Sequence, residues 1–320
     1  MLLGTQAGPP PEFDRTGIAS ALVVDGATYV IDCGRGALTQ FVRARLRLDS
    51  LRSIFITHLH HDHVADYYNF FLLGGIGPNS RGDIVKGPVS VYGPGSAGVL
   101  PSPFGDRNPP TVNPDNPVPG LAELTDRCHA AYAYSSNLFL LDSGIDDVRA
   151  LMDIHELQIP EVGADPIHAT APTMYPFLVA EDEHVRVTAT LVPHGPCFPS
   201  FAYRFDTAYG AVTFSGDTAL SENLIALAQG CDILVHEAIN LEGSSLPAVR
   251  HEHMVTSHVE VQQVGLVAHC AQAAHLVLSH VQDFGNPRLD AIKWFEHVRK
   301  TYAGEVTIGE DLQRFELPPR

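Results

Sequence analysis

The segment Thr57-His58-Leu59-His60-His61-Asp62-His63 constrains this chain more than any other stretch. It follows a short apolar run, Ser53 to Thr57, that reads as a strand. It precedes Val64 to Leu73, which is apolar and aromatic at helical spacing. A strand-to-helix loop holds its side chains nearly side by side. The HxHxDH spacing therefore aims alternate histidines at one point and the Asp-His pair at a neighbouring one, which gives donors for two metal ions. Imidazole and carboxylate ligands suit divalent zinc, and also manganese or iron. A solvated His-rich loop is the alternative, and the apolar scaffold on both sides argues against it.

The rest of the chain supplies a β-rich frame for that loop. Two apolar runs, ASALVV and TYVI, flank Asp25-Gly26, a strong hairpin signal. Residues 37 to 47 have helical spacing, and Val89 to Tyr92 reads as a strand. From Gly93 to Gly120 many Pro, Gly and Asn residues argue against regular structure, and helices are expected at Leu121 to Tyr134 and Ile145 to Met152. A second β-rich half follows, with VRVTATLV, FAYRF, AVTF, DILVH and HLVLSH as strands. Helices at Ser221 to Gln229, His258 to Ala274 and Leu289 to Tyr302 accompany the later strands. Two β-to-α halves predict an α/β fold, an αββα sandwich of two mixed sheets with outer helices. The whole of 1–320 reads as one domain with an insertion at about 94–182.

Composition narrows the partners. The chain has 20 Lys and Arg against 37 Asp and Glu, a formal charge of −17, and shows no basic run, so a nucleic-acid partner is disfavoured. No apolar stretch is long enough to span a bilayer, so no membrane partner is expected. The amino terminus lacks the basic start and apolar middle of a secretory signal. Five widely spaced cysteines without a CxxC argue against a disulfide framework, and together these features predict a cytoplasmic protein. An upstream targeting segment outside this sequence stays open.

Beyond HLHHDH, the sequence carries Ile31-Asp32-Cys33-Gly34, Val192-Pro193-His194-Gly195, Ser215-Gly216-Asp217-Thr218 and Leu278-Ser279-His280 in that order. In these five motifs it resembles the metallo-β-lactamase fold superfamily, and within it the branch of ribonuclease Z and aryl sulfatase-like hydrolases. The resemblance implies that His58, His60 and His194 hold one metal and that Asp62, His63 and His280 hold the second, with Asp217 bridging. Asp62 would be indispensable to catalysis as well as a ligand. Asp32 would support the loop through hydrogen bonds, and His61 would point elsewhere. Such a centre leaves positions open for a hydroxide shared by two ions, a nucleophile at neutral pH. Leu234-Val235-His236-Glu237-Ala238 and His251-Glu252-His253-Met254-Val255-Thr256-Ser257 resemble two further signatures of the branch. By that likeness Glu237 orients His253, which delivers a proton to the leaving oxygen; His251 and His258 are close rivals for that role.

Two departures shape the functional expectation. Ribonuclease Z carries an RNA-gripping arm between its third and fourth motifs, whereas His194 and Asp217 lie only 23 positions apart. His63 and His194, conversely, are 131 positions apart, and the added material offers Tyr132, Tyr134, Phe139, Leu140 and Met152 as a lid, a packing surface or a homodimer contact. The expectation is thus a metal-dependent hydrolase of a small ester-type molecule: carboxylic ester, lactone, sulfate ester or phosphodiester. Its rivals are a phosphodiesterase or tRNA 3′-processing endonuclease of the ribonuclease Z kind, and a mononuclear-iron redox enzyme of the same fold.

Overall fold

The computed structural model describes residues 1–103, 108–286 and 288–317. Its first sheet contains β1 (Leu2–Gly4), β2 (Ala19–Val24), β3 (Ala27–Ile31), β4 (Leu51–Phe55), β5 (Val89–Gly93) and β6 (Met152–Glu156), paired in that order. The second contains β7 (Phe177–Glu181), β8 (Val185–Leu191), β9 (Phe201–Thr207), β10 (Gly210–Phe214), β11 (Ile233–Asn240), β12 (His275–Asp283) and β13 (Glu305–Ile308), again neighbour to neighbour. Each sheet is antiparallel at one side and parallel at the other, the mixed pattern expected of two β-to-α halves. Asp25 (φ 49°) and Gly26 (φ 87°) turn β2 into β3 with both central residues left-handed, as a tight I′ hairpin requires.

Helices cover both outer faces. They are α1 (Ala37–Arg43), α2 (His61–Val64), α3 (Asn69–Leu72), α4 (Leu121–Ala131), α5 (Ala133–Ser143), α6 (Glu222–Leu227), α7 (Ala248–Ser257), α8 (Val261–Cys270) and α9 (Ala291–Arg299). Between the sheets, Tyr29, Ile31 and Phe55 of the first interleave with Val187, Tyr203 and Phe205 of the second. Outside the first sheet Phe41, Phe70 and Phe71 form a second core, and outside the other Val264, Val267 and Trp294 form a third. Trp294 is fully buried, and removal of a ring of that size from such a site costs ~3–5 kcal/mol.

The structure departs from the sequence reading in three places. The helix expected from Val64 to Leu73 is split into α2 and α3, and α2 starts at His61, so Asp62 and His63 ride on a helical turn rather than in an open loop. Residues 145–152 form a single 3₁₀ turn leading into β6, not a helix. The span 94–182 is also no mere insertion, because β6 and β7 within it are edge strands of the two sheets. Its helical part, α4 and α5, lies outside the sandwich, and α5 buries none of its residues.

Candidate metal centre

The candidate ligands and the supporting Asp32 are carried by five strands. β4 runs out into Thr57 and His58, β8 into His194, β10 into Asp217, and β3 into Asp32, while His280 lies within β12. A bulge turns His280 inward: His236 pairs with Leu278 and Ala238 with Val281, which leaves Ser279 and His280 opposite Glu237 alone. Such a bulge re-aims a side chain beside a site, and His280 takes a left-handed φ of 52° to do so.

Ligand atoms of His58, His60 and His194 lie within 4.8 Å of one another, as do those of Asp62, His63, Asp217 and His280. Asp217 stands between the groups, with one carboxylate oxygen 3.3 Å from His280 Nε2 and 3.8 Å from His194 Nε2, and the other 3.4 Å from His63 Nε2. Asp62 approaches His280 Nε2 at 3.3 Å and His63 Nε2 at 3.5 Å. His61 is exposed and faces away. The seven expected ligand residues thus converge.

The backbone and neighbouring side chains fix which ring nitrogen each imidazole presents. His194 Nδ1 donates to Ser257 O at 2.8 Å, and His63 Nδ1 lies 2.8 Å from Asp32 Oδ2, so both turn Nε2 into the centre. Asp32 is itself held by the Thr57 N–H at 2.8 Å and by the Thr57 hydroxyl, in the supporting place expected of it. Three inward atoms, His58 Nε2, His63 Nε2 and Asp217 Oδ1, are buried without any hydrogen-bond partner. Orphaned buried donors and acceptors are costly unless something completes them, and a pair of divalent cations fits this donor set.

The electrostatics prepare the same chemistry. Burial pushes the imidazoles of His58 and His194 well below the usual histidine range, and His60 down to about 4, so all three are neutral and ready to coordinate. Burial also opposes charge on His63, but Asp217 and Asp32 on either side overcome it and raise its pKa well above the usual value. Burial likewise opposes ionisation of Asp217 and Asp62, yet the surrounding histidines hold both carboxyls below the ordinary carboxylate range.

Glu237 does not orient His253. Its Oε1 accepts from Thr218 N at 3.1 Å and Val259 N at 3.2 Å, and lies 3.1 Å from His258 Nδ1. His258 packs its ring 5.0 Å from His194 and 5.9 Å from His280, at the rim of the centre. Burial lowers its pKa, but the Glu237 carboxylate more than offsets this and holds it at about 9. His253 lies one turn back on α7, beside Gly195. The reason is helical geometry: residues 248–257 form α7, and the chain leaves the helix at His258, where extended backbone turns the ring toward Glu237. The junction between two helical runs at Ser257-His258-Val259 is the sequence signal that points to this residue.

A sequence profile for the metallo-beta-lactamase superfamily matches residues 14–78, the span that includes Asp32 and the His58 to His63 cluster. Ribonuclease Z of Mycobacterium bovis (strain BCG / Pasteur 1173P2) is 25% identical over 321 residues, covering 100% of this chain and 98% of that protein. Ribonuclease Z of Mycobacterium sp. (strain KMS) is 27% identical over 324 residues, covering 99% and 95%. Among solved structures, human tRNase Z, short form, superposes with a TM-score of 0.63 at 22% identity, covering 99% of this chain and 98% of that one. Fold and site together define a metallo-hydrolase of the metallo-β-lactamase superfamily, acting on ester bonds. Within that superfamily the sequence falls in the ribonuclease Z branch, which its five motifs had implied.

These matches correct the expected partner. A small-molecule substrate with nucleic acid unlikely does not agree with relatives that are ribonucleases over their whole length. The physical reason is that a net charge of −17 sums the entire surface and is silent on where the cations gather. Among the described residues no helix is long and apolar enough to cross a membrane.

Proposed function

We propose that this chain is a metal-dependent phosphodiesterase that cleaves RNA in the manner of ribonuclease Z, with tRNA precursors as the substrate class. The observation that carries this reading is the pairing of a seven-residue ligand cluster with a carboxylate-held histidine at its rim. His258 is protonated at neutral pH because Glu237 faces it, so it carries a proton where a departing alkoxide needs one. A sugar alkoxide is a poor leaving group, and a positioned acid matters most for such a bond.

His58, His60 and His194 would hold one cation, and Asp62, His63 and His280 the other, with Asp217 shared; zinc suits the donors best. Bound there, the pair supplies Lewis acidity and an activated water near neutral pH. The chain's own residues do the rest. Asp32 fixes the His63 ring, the Ser257 carbonyl fixes His194, and Glu237 holds His258 so that its Nε2–H faces the bond to be broken. Glu237 is buried and keeps its place through two backbone N–H groups, so the His258 proton is aimed rather than free to wander.

The test is metal quantification followed by assay on a tRNA precursor with a 3′ extension and on a bis-aryl phosphodiester. About two ions per chain and cleavage of both substrates support the reading. Hydrolysis of the small phosphodiester with the RNA left intact overturns the RNA part of it.

A further inference from the structure

The loop between β1 and β2 supplies none of the seven ligand residues, yet it reaches the metal centre. The Gly8 N–H points at His280 Nε2 from 3.4 Å. The same nitrogen lies 3.3 Å from carboxylate oxygens of both Asp62 and Asp217, so it is the atom that His280 presents to a cation. A neutral imidazole has one nitrogen lone pair to offer, and it cannot serve a cation and an N–H together. When a cation takes that lone pair, the Gly8 N–H faces the centre with its acceptor gone.

The loop is built to keep this N–H in place. Gly8 has a left-handed φ of 79°, which glycine adopts freely and a residue with a Cβ does not. At the root, Thr5 N and Gln6 N donate to the Thr16 carbonyl at 3.1 and 3.0 Å, and the N–H of Val281, next to His280, donates to the Thr5 carbonyl at 3.0 Å. Gln6 is 3% exposed and spends its whole amide on the loop. Its Oε1 accepts from the Glu12 N–H at 3.1 Å and from Arg35 Nη2 at 2.9 Å, and its Nε2 donates to the Pro10 carbonyl and, at 3.5 Å, to that of Gly8. Arg35 adds bonds to the Glu12 and Arg15 carbonyls at 3.3 and 2.9 Å, and Asp311 accepts from the Thr16 N–H at 2.7 Å. Pro9, Pro10 and Pro11 stiffen the tip.

A braced loop with one N–H aimed at the reacting centre has the form of an electrostatic catalyst. Such a donor stabilises charge that grows on an oxygen in the transition state, and it needs no reorganisation at that moment. The oxygens that gather charge when a phosphodiester is cleaved are the non-bridging ones on phosphorus.

We propose that the Gly8 N–H donates a hydrogen bond to a non-bridging oxygen of the scissile phosphate, and that Gln6 is the positioning residue that holds it there. The inference rests on the phosphodiesterase reading above and adds how the phosphate is met on the His280 side of the centre.

The first test is nuclear magnetic resonance of zinc-loaded protein isotopically labelled at glycine nitrogen, with the Gly8 signal identified by its loss in Gly8→Ala. Inorganic phosphate is added up to concentrations that inhibit hydrolysis of the bis-aryl phosphodiester. The Gly8 amide proton is expected to move downfield, as a donor to a charged acceptor does, while Gly26 at the distant hairpin turn stays fixed. A Gly8 signal that moves with zinc but ignores phosphate has turned to Asp62 or Asp217 and overturns the proposal. The second test is Gln6→Ala. It is expected to lower kcat about 10²-fold on the tRNA precursor and on the bis-aryl phosphodiester alike, with KM changed less than about threefold and both ions retained. Unchanged kcat overturns the assignment of Gln6, as does a loss of metal or a rise in KM alone, which marks a structural brace. Wild-type protein that cleaves no phosphodiester overturns the underlying reading, whereas an active wild type with a fixed Gly8 signal overturns this inference alone.

Discussion

The two donor groups that meet at Asp217 differ in charge more than in geometry. His58, His60 and His194 are three imidazoles driven neutral by burial, and Asp217 is the carboxylate set against them. Asp62, His63 and His280 add a second carboxylate, with Asp32 behind His63 as a third. The first half is an apolar-set cradle with no proton to give up, and the second is an ionic one in which His63 is protonated until a cation takes its place. One side is therefore tuned by desolvation and the other by charge.

The largest effect is expected from the residue the halves share. Asp217→Ala should empty both positions and reduce activity by more than about 10⁴-fold, because the ions supply both nucleophile and charge stabilisation; elemental analysis beside the RNA assay reads both. Retention of one ion would show that the halves assemble independently.

Next in size is the acid at the rim. His258→Ala should lower kcat on RNA by ~10²–10⁴-fold with metal retained, and much less on a bis-aryl phosphodiester whose leaving group needs no proton. His253→Ala, one turn away, should change kcat by less than about threefold; a reversed pattern would reinstate His253 as the donor.

Asp32→Asn sharpens the contrast within the ionic half. Loss of the carboxylate behind a ligating histidine weakens metal affinity by ~10–100-fold, and a chelator titration should find one ion released early while the other stays.

The smallest effect is on pH. Because the pKa of His63 is raised above the usual value, a proton competes with the cation below that pKa, and affinity of the ionic half should climb about tenfold per pH unit through neutrality. The imidazole half, with His60 at about 4, should be flat over the same range. Calorimetry in buffers of different ionisation enthalpy would show about one proton released on filling the ionic half and none on filling the imidazole half.

Much of this centre was legible in the sequence because most of its ligands follow a strand within a few residues, and His280 lies in one. Asp32 after TYVI and His58 after SIFIT are fixed by local alternation and a short exit, which sequence reports directly. Glu237 and His258 were only half legible. Glu237 is a strand residue, but its partner depends on where α7 stops, and helix ends are decided by packing rather than by residue type. The edge strands β6 and β7 were missed because the Pro-rich and helical stretches around them read as irregular; β6 gains its pairing from β5, far earlier in sequence, whereas β7 is held by the adjacent β8 across a short turn.

One small joint ties these parts together. Gly195, at φ 51°, sits so close to α7 that a methyl group there would lie 2.3 Å from Ser257 Oγ, and its N–H donates to the Thr256 carbonyl at 3.2 Å. Since the next carbonyl along, that of Ser257, is the one that clamps His194, the last turn of the helix leading to His258 is bolted to the loop that carries a ligand. Any tilt of that helix must be passed to the loop that carries His194, so the setting of His258 and the setting of a ligand form one mechanical linkage.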